Sequence, residues 1–320
     1  MSDAVARLKA QLPEHPSVDE LTPLVDDYTG LRILAVHAHP DDESSKGSAS
    51  AAAYTDRGAR YMVATMTGGE RGDILNEEIK HSPRAHRDLP GMRRSEMAAA
   101  AKAIGIEHRW MGFVDSGLPE GDPMPPLPFG CFGVQPLERA AAPLVRLVRE
   151  YRPHVMISYD EIGGYPDHIM SHKVAVEAYE KAGDPEAYVG EGQPWAPLKL
   201  YYDRAFNPER LVAGHEFLMA RDGQSVFSGW IENLVDQVST EGIRHESTTR
   251  IPSSAYFDRR DQAMLAHASQ IDPNGAFFAI PTEDVKKVWP WEDYTLIASR
   301  VPVDLPECCL ADGLDYKAAG

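Results

Sequence analysis

Along the first half of the chain, apolar residues gather in short unbroken runs, and each run ends in a cluster of polar side chains. Ile33 to Val36, Tyr61 to Met66, His108 to Phe113 and His154 to Tyr159 read as strands of a parallel sheet buried on both faces. Between them lie stretches with helical spacing. Ser44 to Arg57 is rich in Ala and Ser and stops at Gly58; a second helix begins at Arg93, Arg94 and Glu96 and runs to Ala103; a third covers Leu137 to Tyr151 and is ended by Pro153. Another opens on Pro166, a residue suited to a first helical turn. This alternation predicts an α/β fold, a Rossmann-like and mostly parallel sheet with helices on both faces.

Beyond Asp184 the alternation loosens. Lys199 to Phe206 reads as a further strand, Pro208 to Leu218 as a helix, and Arg259 to Gln270 as a helix carrying His267. Trp289, Trp291 and Tyr294 sit in a proline-bearing segment and are expected to pack the tail onto the core. Residues 4–12 have a short amphipathic pattern halted by Pro13, and 120–136 is an irregular rim crowded with Pro and Gly. The expected organisation is an N-terminal arm, 1–30, and one catalytic domain, 31–320, in which 185–320 is an irregular α+β C-terminal subregion.

Charge narrows the partners. With 32 Lys and Arg against 49 Asp and Glu, the net charge is −17, and no basic run occurs, so neither nucleic acid nor an anionic membrane is an expected partner. Residues 1–30 lack the basic start and apolar stretch of a secretory signal, so a cytoplasmic location is expected. Cys131, Cys308 and Cys309 fall in no disulfide or Cys-rich zinc pattern and are read as free thiols. Monomers and symmetric homo-oligomers both fit this composition.

The chemistry concentrates where the first strand ends, at His37-Ala-His39-Pro-Asp41-Asp42-Glu43. Pro40 stiffens the turn, so an imidazole and one carboxylate converge while the second carboxylate points elsewhere. Ordinary turn and capping chemistry explains a Pro-Asp-Asp sequence alone. It does not explain so many ligand-capable side chains at the carboxyl edge of a parallel sheet, where open α/β folds place their ligands. A hydrolytic zinc site wants three protein ligands and one open position, and His39, Asp42 and, from the later helix, His168 supply them. Asp41 is then free to act as the base. Thr67 to Gly72 lacks the Walker spacing and reads as a flexible wall presenting Glu70 and Arg71. Arg93 and Glu96, at spacing three, also fit a plain helical ion pair.

His-Pro-Asp-Asp-Glu after a strand, with Pro166-Asp-His168 far downstream, resembles the PIG-L/LmbE superfamily of zinc-dependent N-deacetylases and amidases acting on N-acylglucosamine groups. The segments His37 to Gly47, Thr67 to Gly72, Gly112 to Pro119, Arg152 to Met156 and His267 to Asn274 extend the likeness, over roughly residues 31–300. They are similar to its branch of mycothiol-conjugate amidases, which cleave the amide between an S-conjugated N-acetylcysteine and glucosaminyl-inositol. The resemblance implies one Zn2+ per chain on His39, Asp42 and His168, with Asp41 as general base. It implies that Glu70, Arg93 and Asp115, with Arg71 beside them, hold the hydroxyls of a small-molecule thiol conjugate of glucosaminyl-inositol, in detoxification or natural-product biosynthesis. A deacetylase of N-acetylglucosaminyl-inositol, or a zinc-retaining but weakly active binding protein, are the alternatives. A barrel amidohydrolase opening on His37-x-His39 ranks last, because it needs a bridging Lys and paired histidines on later strands. Other divalent ions also suit these donors. One departure stands out: Gly163 to His168 is shorter than the family loop and lacks a histidine, and Tyr165 is expected to take over part of the oxyanion stabilisation.

Overall fold

A computed structural model of the chain describes residues 2–13, 21–123, 125–161, 164–241 and 245–317. The four apolar runs are strands β1 (Arg32–His37), β2 (Arg60–Thr67), β3 (Glu107–Phe113) and β4 (Val155–Ser158). With β5 (Lys199–Asp203), β6 (Thr249–Pro252) and β7 (Trp291–Ser299) they make one sheet in the order β3-β2-β1-β4-β5-β7-β6. The first five strands in that order pair in parallel, while β7 runs antiparallel to both β5 and β6.

Alternation along β1 decides which helices cover which face. Ile33 and Ala35 join a core with Tyr54 of α3 (Ser48–Thr55), Ala100 and Ile104 of α5 (Leu89–Ile104) and Ala263 of α10 (Phe257–Ala266). Leu34 and Val36 face the other way, onto Leu144, Val145 and Val148 of α6 (Leu137–Tyr151) and Val174, Ala175 and Ala178 of α7 (Pro166–Lys181). Both faces of β1 are thus sealed, which is why its run carries no polar break. The expected fold class is the one observed.

The helix expected over 44–57 is two helices, α2 (Asp42–Ser45) and α3. Gly47 divides them with φ of 85°, and a Cβ there would lie 2.5 Å from the Tyr294 hydroxyl, a close approach that only glycine permits. The helix expected to start at Arg93 begins a turn earlier, where Asp88 caps it by accepting from Gly91 N. The strand expected to reach Phe206 ends at Asp203, and the helix expected to reach Gln270 ends at Ala266 and leaves His267 as its cap. Helices α4 (Pro83–Arg87), α9 (Ser228–Glu241) and α11 (Thr282–Val288) had no counterpart in the spacing.

Trp291 and Tyr294 are buried and lie on β7, and Trp289 just before it is buried too, so the aromatic tail does pack onto the core. Farther along the tail, Glu307 accepts from the buried Lys199 ammonium at 2.5 Å and from Tyr201 at 2.7 Å, tying the last residues to β5. At the other end, α1 (Ser2–Lys9) puts Val5 and Leu8 against Val212 of α8 (Pro208–Asp222) and Ile231 and Val235 of α9. No helix among the described residues is long and apolar enough to cross a membrane.

The strand order reverses between β1 and β4. Chain leaving β1 turns toward one side and chain leaving β4 toward the other, so a crevice opens at their carboxyl ends. A cavity of about 660 Å³ lies there, lined by His39, Asp41, Asp42, Asp115, Tyr159 and His168 among others.

Candidate metal centre

His39 lies two residues past β1, Asp41 occupies the N-cap position of α2, Asp42 is its first residue, and His168 stands in the first turn of α7. Asp41 adopts φ of 114°, a left-handed conformation rare outside glycine, so the turn holds its two neighbouring carboxylates apart. One ligand atom each from His39, Asp42 and His168 lies within 4.8 Å of the others. The Asp42 carboxylate sits between the imidazoles, 3.7 Å from His39 Nδ1 through Oδ2 and 3.6 Å from His168 Nε2 through Oδ1. Two imidazoles and a carboxylate form a donor set suited to a hydrolytic divalent metal.

Charge around the trio fits a cation equally well. His39 Nε2 lies 3.3 Å from Asp167 Oδ2 and 3.7 Å from Asp115 Oδ1, so carboxylates meet this ring on both edges. Burial alone disfavours the imidazolium, but hydrogen bonds to Asp115 and Asp167 and the charge of Asp42 prevail and lift His39 to about 10. Burial has the upper hand at His168, which falls to about 4 and stays neutral, ready to donate a lone pair. Asp42 is held well below the usual carboxylate range: burial opposes ionisation, and Lys46, His168 and His39 outweigh it.

Partners outside the trio fix its geometry. Tyr159, just past β4, donates its hydroxyl to Asp42 Oδ2 at 2.5 Å and accepts from Ala38 N at 2.8 Å. Its ring stacks on His168 with centroids 4.4 Å apart and planes 8° from parallel. Lys46 Nζ lies 2.6 Å from Asp42 Oδ1. Asp167 accepts from Ser116 through both its backbone and its hydroxyl, which leaves it placed to receive the His39 Nε2 proton. His39, Asp115 and Asp167 form a second candidate ligand group, but these bonds make Asp167 an orienter of His39.

Asp41 is held by Arg93, whose Nη2 lies 3.3 Å from its Oδ2 and whose Nη1 donates to Gly69 O. Burial raises the Asp41 carboxyl, against the pull of Arg93. A buried pair lies behind it: Glu43 takes the Asp41 backbone N–H at 3.0 Å and His267 Nε2 at 2.6 Å. The plain Arg93–Glu96 ion pair does not form, because Glu96 turns to Ser269 N and Oγ.

The remaining expected residues divide by position. Asp115 and Arg71 line the cleft, joined by Arg71 N to Asp115 Oδ2 at 2.8 Å. Glu70 stands behind them, accepting Asp115 N at 3.0 Å, and is not among the lining residues. Tyr165 is 47% exposed at the mouth, its ring 5.1 Å from His168 and 6.5 Å from His39. Of the shortened loop before it, Gly163 lies outside the described residues. Tyr159, Lys46, Glu43 and the role of Asp167 were not assigned from the sequence. Tyr159 and Asp167 carried a usable signal, since each stands at a strand end or helix start on the same edge as His39.

Comparison with known proteins gives the family. The family model described as PIG-L, GlcNAc-PI de-N-acetylase, matches residues 34–179. A mycothiol S-conjugate amidase of Streptomyces coelicolor is 46% identical over 292 residues, covering 90% of this chain and 99% of the relative. The chain belongs to the PIG-L family. Another PIG-L relative, a 1D-myo-inositol 2-acetamido-2-deoxy-alpha-D-glucopyranoside deacetylase of Streptomyces avermitilis, is 37% identical over 281 residues, 85% of this chain and 93% of its own. Among solved structures, an N,N'-diacetylchitobiose deacetylase from Pyrococcus horikoshii aligns with TM-score 0.55 at 14% identity, covering 83% of each chain. A deacetylase of teicoplanin biosynthesis aligns with TM-score 0.52 at 18% identity, covering 83% of this chain and 96% of that one. At these identities the structural likeness speaks for the fold alone.

Replacing the His39-orienting carboxylate tests the geometry. Asp167→Asn is expected to weaken zinc affinity by about 10- to 100-fold, measured by chelator competition, with the circular dichroism spectrum retained. Unchanged affinity would show that Asp167 does not orient the ligand.

Proposed function

We propose that this protein is a zinc-dependent amidase that hydrolyses S-conjugates of mycothiol, releasing an S-substituted N-acetylcysteine and glucosaminyl-inositol. One observation carries the reading: His39, Asp42 and His168 converge at the switch point of the sheet with Asp41 beside them and unclaimed by the metal set. The 46% identity to an amidase across nearly the whole chain, against 37% to the deacetylase, supports the amide of a thiol conjugate over an N-acetyl group. Zinc is the preferred ion for this donor set, with other divalent ions tolerated, and the location is cytoplasmic.

Zinc, when bound, supplies a Lewis acid that polarises the amide carbonyl and acidifies water. The chain's own residues do the rest. Asp41 takes the proton of the attacking water as the new carbon–oxygen bond forms, and returns it to the sugar nitrogen as the carbon–nitrogen bond breaks. Products are the carboxylate of the N-acetylcysteine conjugate and the free amine of glucosaminyl-inositol. Arg93 holds Asp41 in place through its guanidinium. Arg71 and Asp115 face the sugar and inositol hydroxyls, and Glu70 supports them through Asp115 N. Tyr165 donates its exposed hydroxyl to the developing oxyanion, in place of the histidine missing from the shortened loop.

Turnover of a mycothiol conjugate against N-acetylglucosaminyl-inositol, on zinc-loaded protein, is the direct test. Faster cleavage of the conjugate is expected; a preference for the acetamido sugar would make the protein a deacetylase, and hydrolysis of neither would make it a binder. Tyr165→Phe is expected to lower kcat by about a hundredfold. An unchanged kcat removes Tyr165 from the reaction.

A further inference from the structure

Beside the metal cleft lies a second cavity of different character. About 90 Å³ in size, it is walled chiefly by apolar side chains, among them Phe206, Leu211, Phe227, Trp230, Phe277 and Ile280. The two cavities share Ser45, Ala205, Phe206 and Phe277 in their walls, so they adjoin. Phe206 marks the threshold. Its ring lies 6.0 Å from the Lys46 ammonium, which in turn lies 2.6 Å from the ligand carboxylate of Asp42. The one charged side chain in the lining, Arg210, sends Nη1 to Ala205 O at 3.0 Å.

Two features mark this cavity as built for a ligand. Phe206, Trp230 and Phe277 are large and apolar, yet 45%, 44% and 42% exposed, and they are contiguous: Phe206 lies 6.2 Å from Trp230 and 6.0 Å from Phe277. Leaving three such rings facing water and each other forgoes burial that an apolar guest would restore. Secondly, the cavity is assembled almost wholly from residues 205–289, outside the stretch 34–179 that matches the family model. The candidate catalytic residues 39–168 lie inside that stretch, so shared chemistry and the neighbouring cavity come from separate parts of the chain.

We propose that this cavity is the subsite for the sulfur substituent of the conjugate, and that it selects a compact apolar group such as a branched alkyl chain or a single aromatic ring. The proposal rests on the amidase reading of the adjoining cleft. Three covalent bonds separate the scissile carbonyl carbon from sulfur, so the substituent begins roughly 4 Å from the reacting carbon. An apolar cavity of roughly 150 Å³ takes benzene. This one is smaller, at about 90 Å³, so it holds a compact group only in part, with the remainder lying in the adjoining cleft.

The test compares S-benzyl with S-methyl conjugates of mycothiol on the zinc-loaded full chain. Wild type is expected to favour S-benzyl in kcat/KM by about tenfold or more, from the extra apolar area buried. Ala276→Leu, which fills the cavity, and Trp230→Ala, which removes an exposed wall, are each expected to bring that ratio to within about twofold. The ratio is read within one variant, so it does not depend on how much of the variant is folded. Equal rates for both conjugates in wild type, or a ratio unmoved by both substitutions, would overturn the subsite. Hydrolysis of neither conjugate would instead sink the amidase reading. Calorimetry with S-benzyl-N-acetylcysteine and S-methyl-N-acetylcysteine then decides the subsite: tighter S-benzyl binding that Ala276→Leu abolishes supports it, and equal binding overturns it.

Discussion

The site depends on one tyrosine. Tyr159 leaves β4 on the far side of the strand reversal from His39 and Asp42, and its buried hydroxyl joins Asp42 to the backbone of Ala38. Its ring meanwhile lies flat on His168. A single side chain therefore sets two of the three candidate ligands by unlike forces, a charge-assisted hydrogen bond on one and ring stacking on the other. Burial, reinforced by the charge of Asp42, pushes its phenol well above the ordinary value, so it remains a neutral donor at any physiological pH.

Electrostatics accounts for the ring of residues behind the trio. Asp41, Asp42, Asp115 and Asp167 crowd one end of the sheet, and so many carboxyl groups share it only where cations and N–H donors answer them. Arg93 answers Asp41, Lys46 answers Asp42, and His39 answers Asp115 and Asp167. Glu43, one residue past Asp42, takes the buried His267 and grips the Asp41 backbone, anchoring the strained turn to the cap of α10. The motif His267 to Asn274 thus supports the turn from behind and also feeds the cleft wall through Gln270 and Ile271.

Much of this could be read from the chain because it is encoded locally. The β1 run, the turn after it and the Pro166 helix start each carry their signal within a few residues, and parallel-sheet topology then brings His39, Asp42 and His168 to one edge. What escaped was encoded across distance. Its place at a strand end puts Tyr159 on the His39 edge, but its neighbours do not specify that its hydroxyl meets Asp42, 117 positions away. Gly47 looks like a tolerated glycine in an Ala-rich helix until Tyr294, from the last strand, is placed against it. Strand β7 hid behind Pro290, and α9 and α11 had too weak a pattern to be separated from loop, although α9 and α11 both wall the apolar cavity. Arg93 and Glu96 matched a helical pair in spacing, but burial gave each a stronger partner elsewhere.

The central claim is that two imidazoles and a carboxylate from the turn after β1, α2 and α7 hold one divalent ion. Zinc-edge X-ray absorption on the loaded protein measures this most directly. The account predicts two nitrogen scatterers of histidine and a carboxylate oxygen at about 2.0–2.2 Å, with one histidine contribution lost in His168→Ala. A sulfur shell, or a spectrum indifferent to His168, would contradict it.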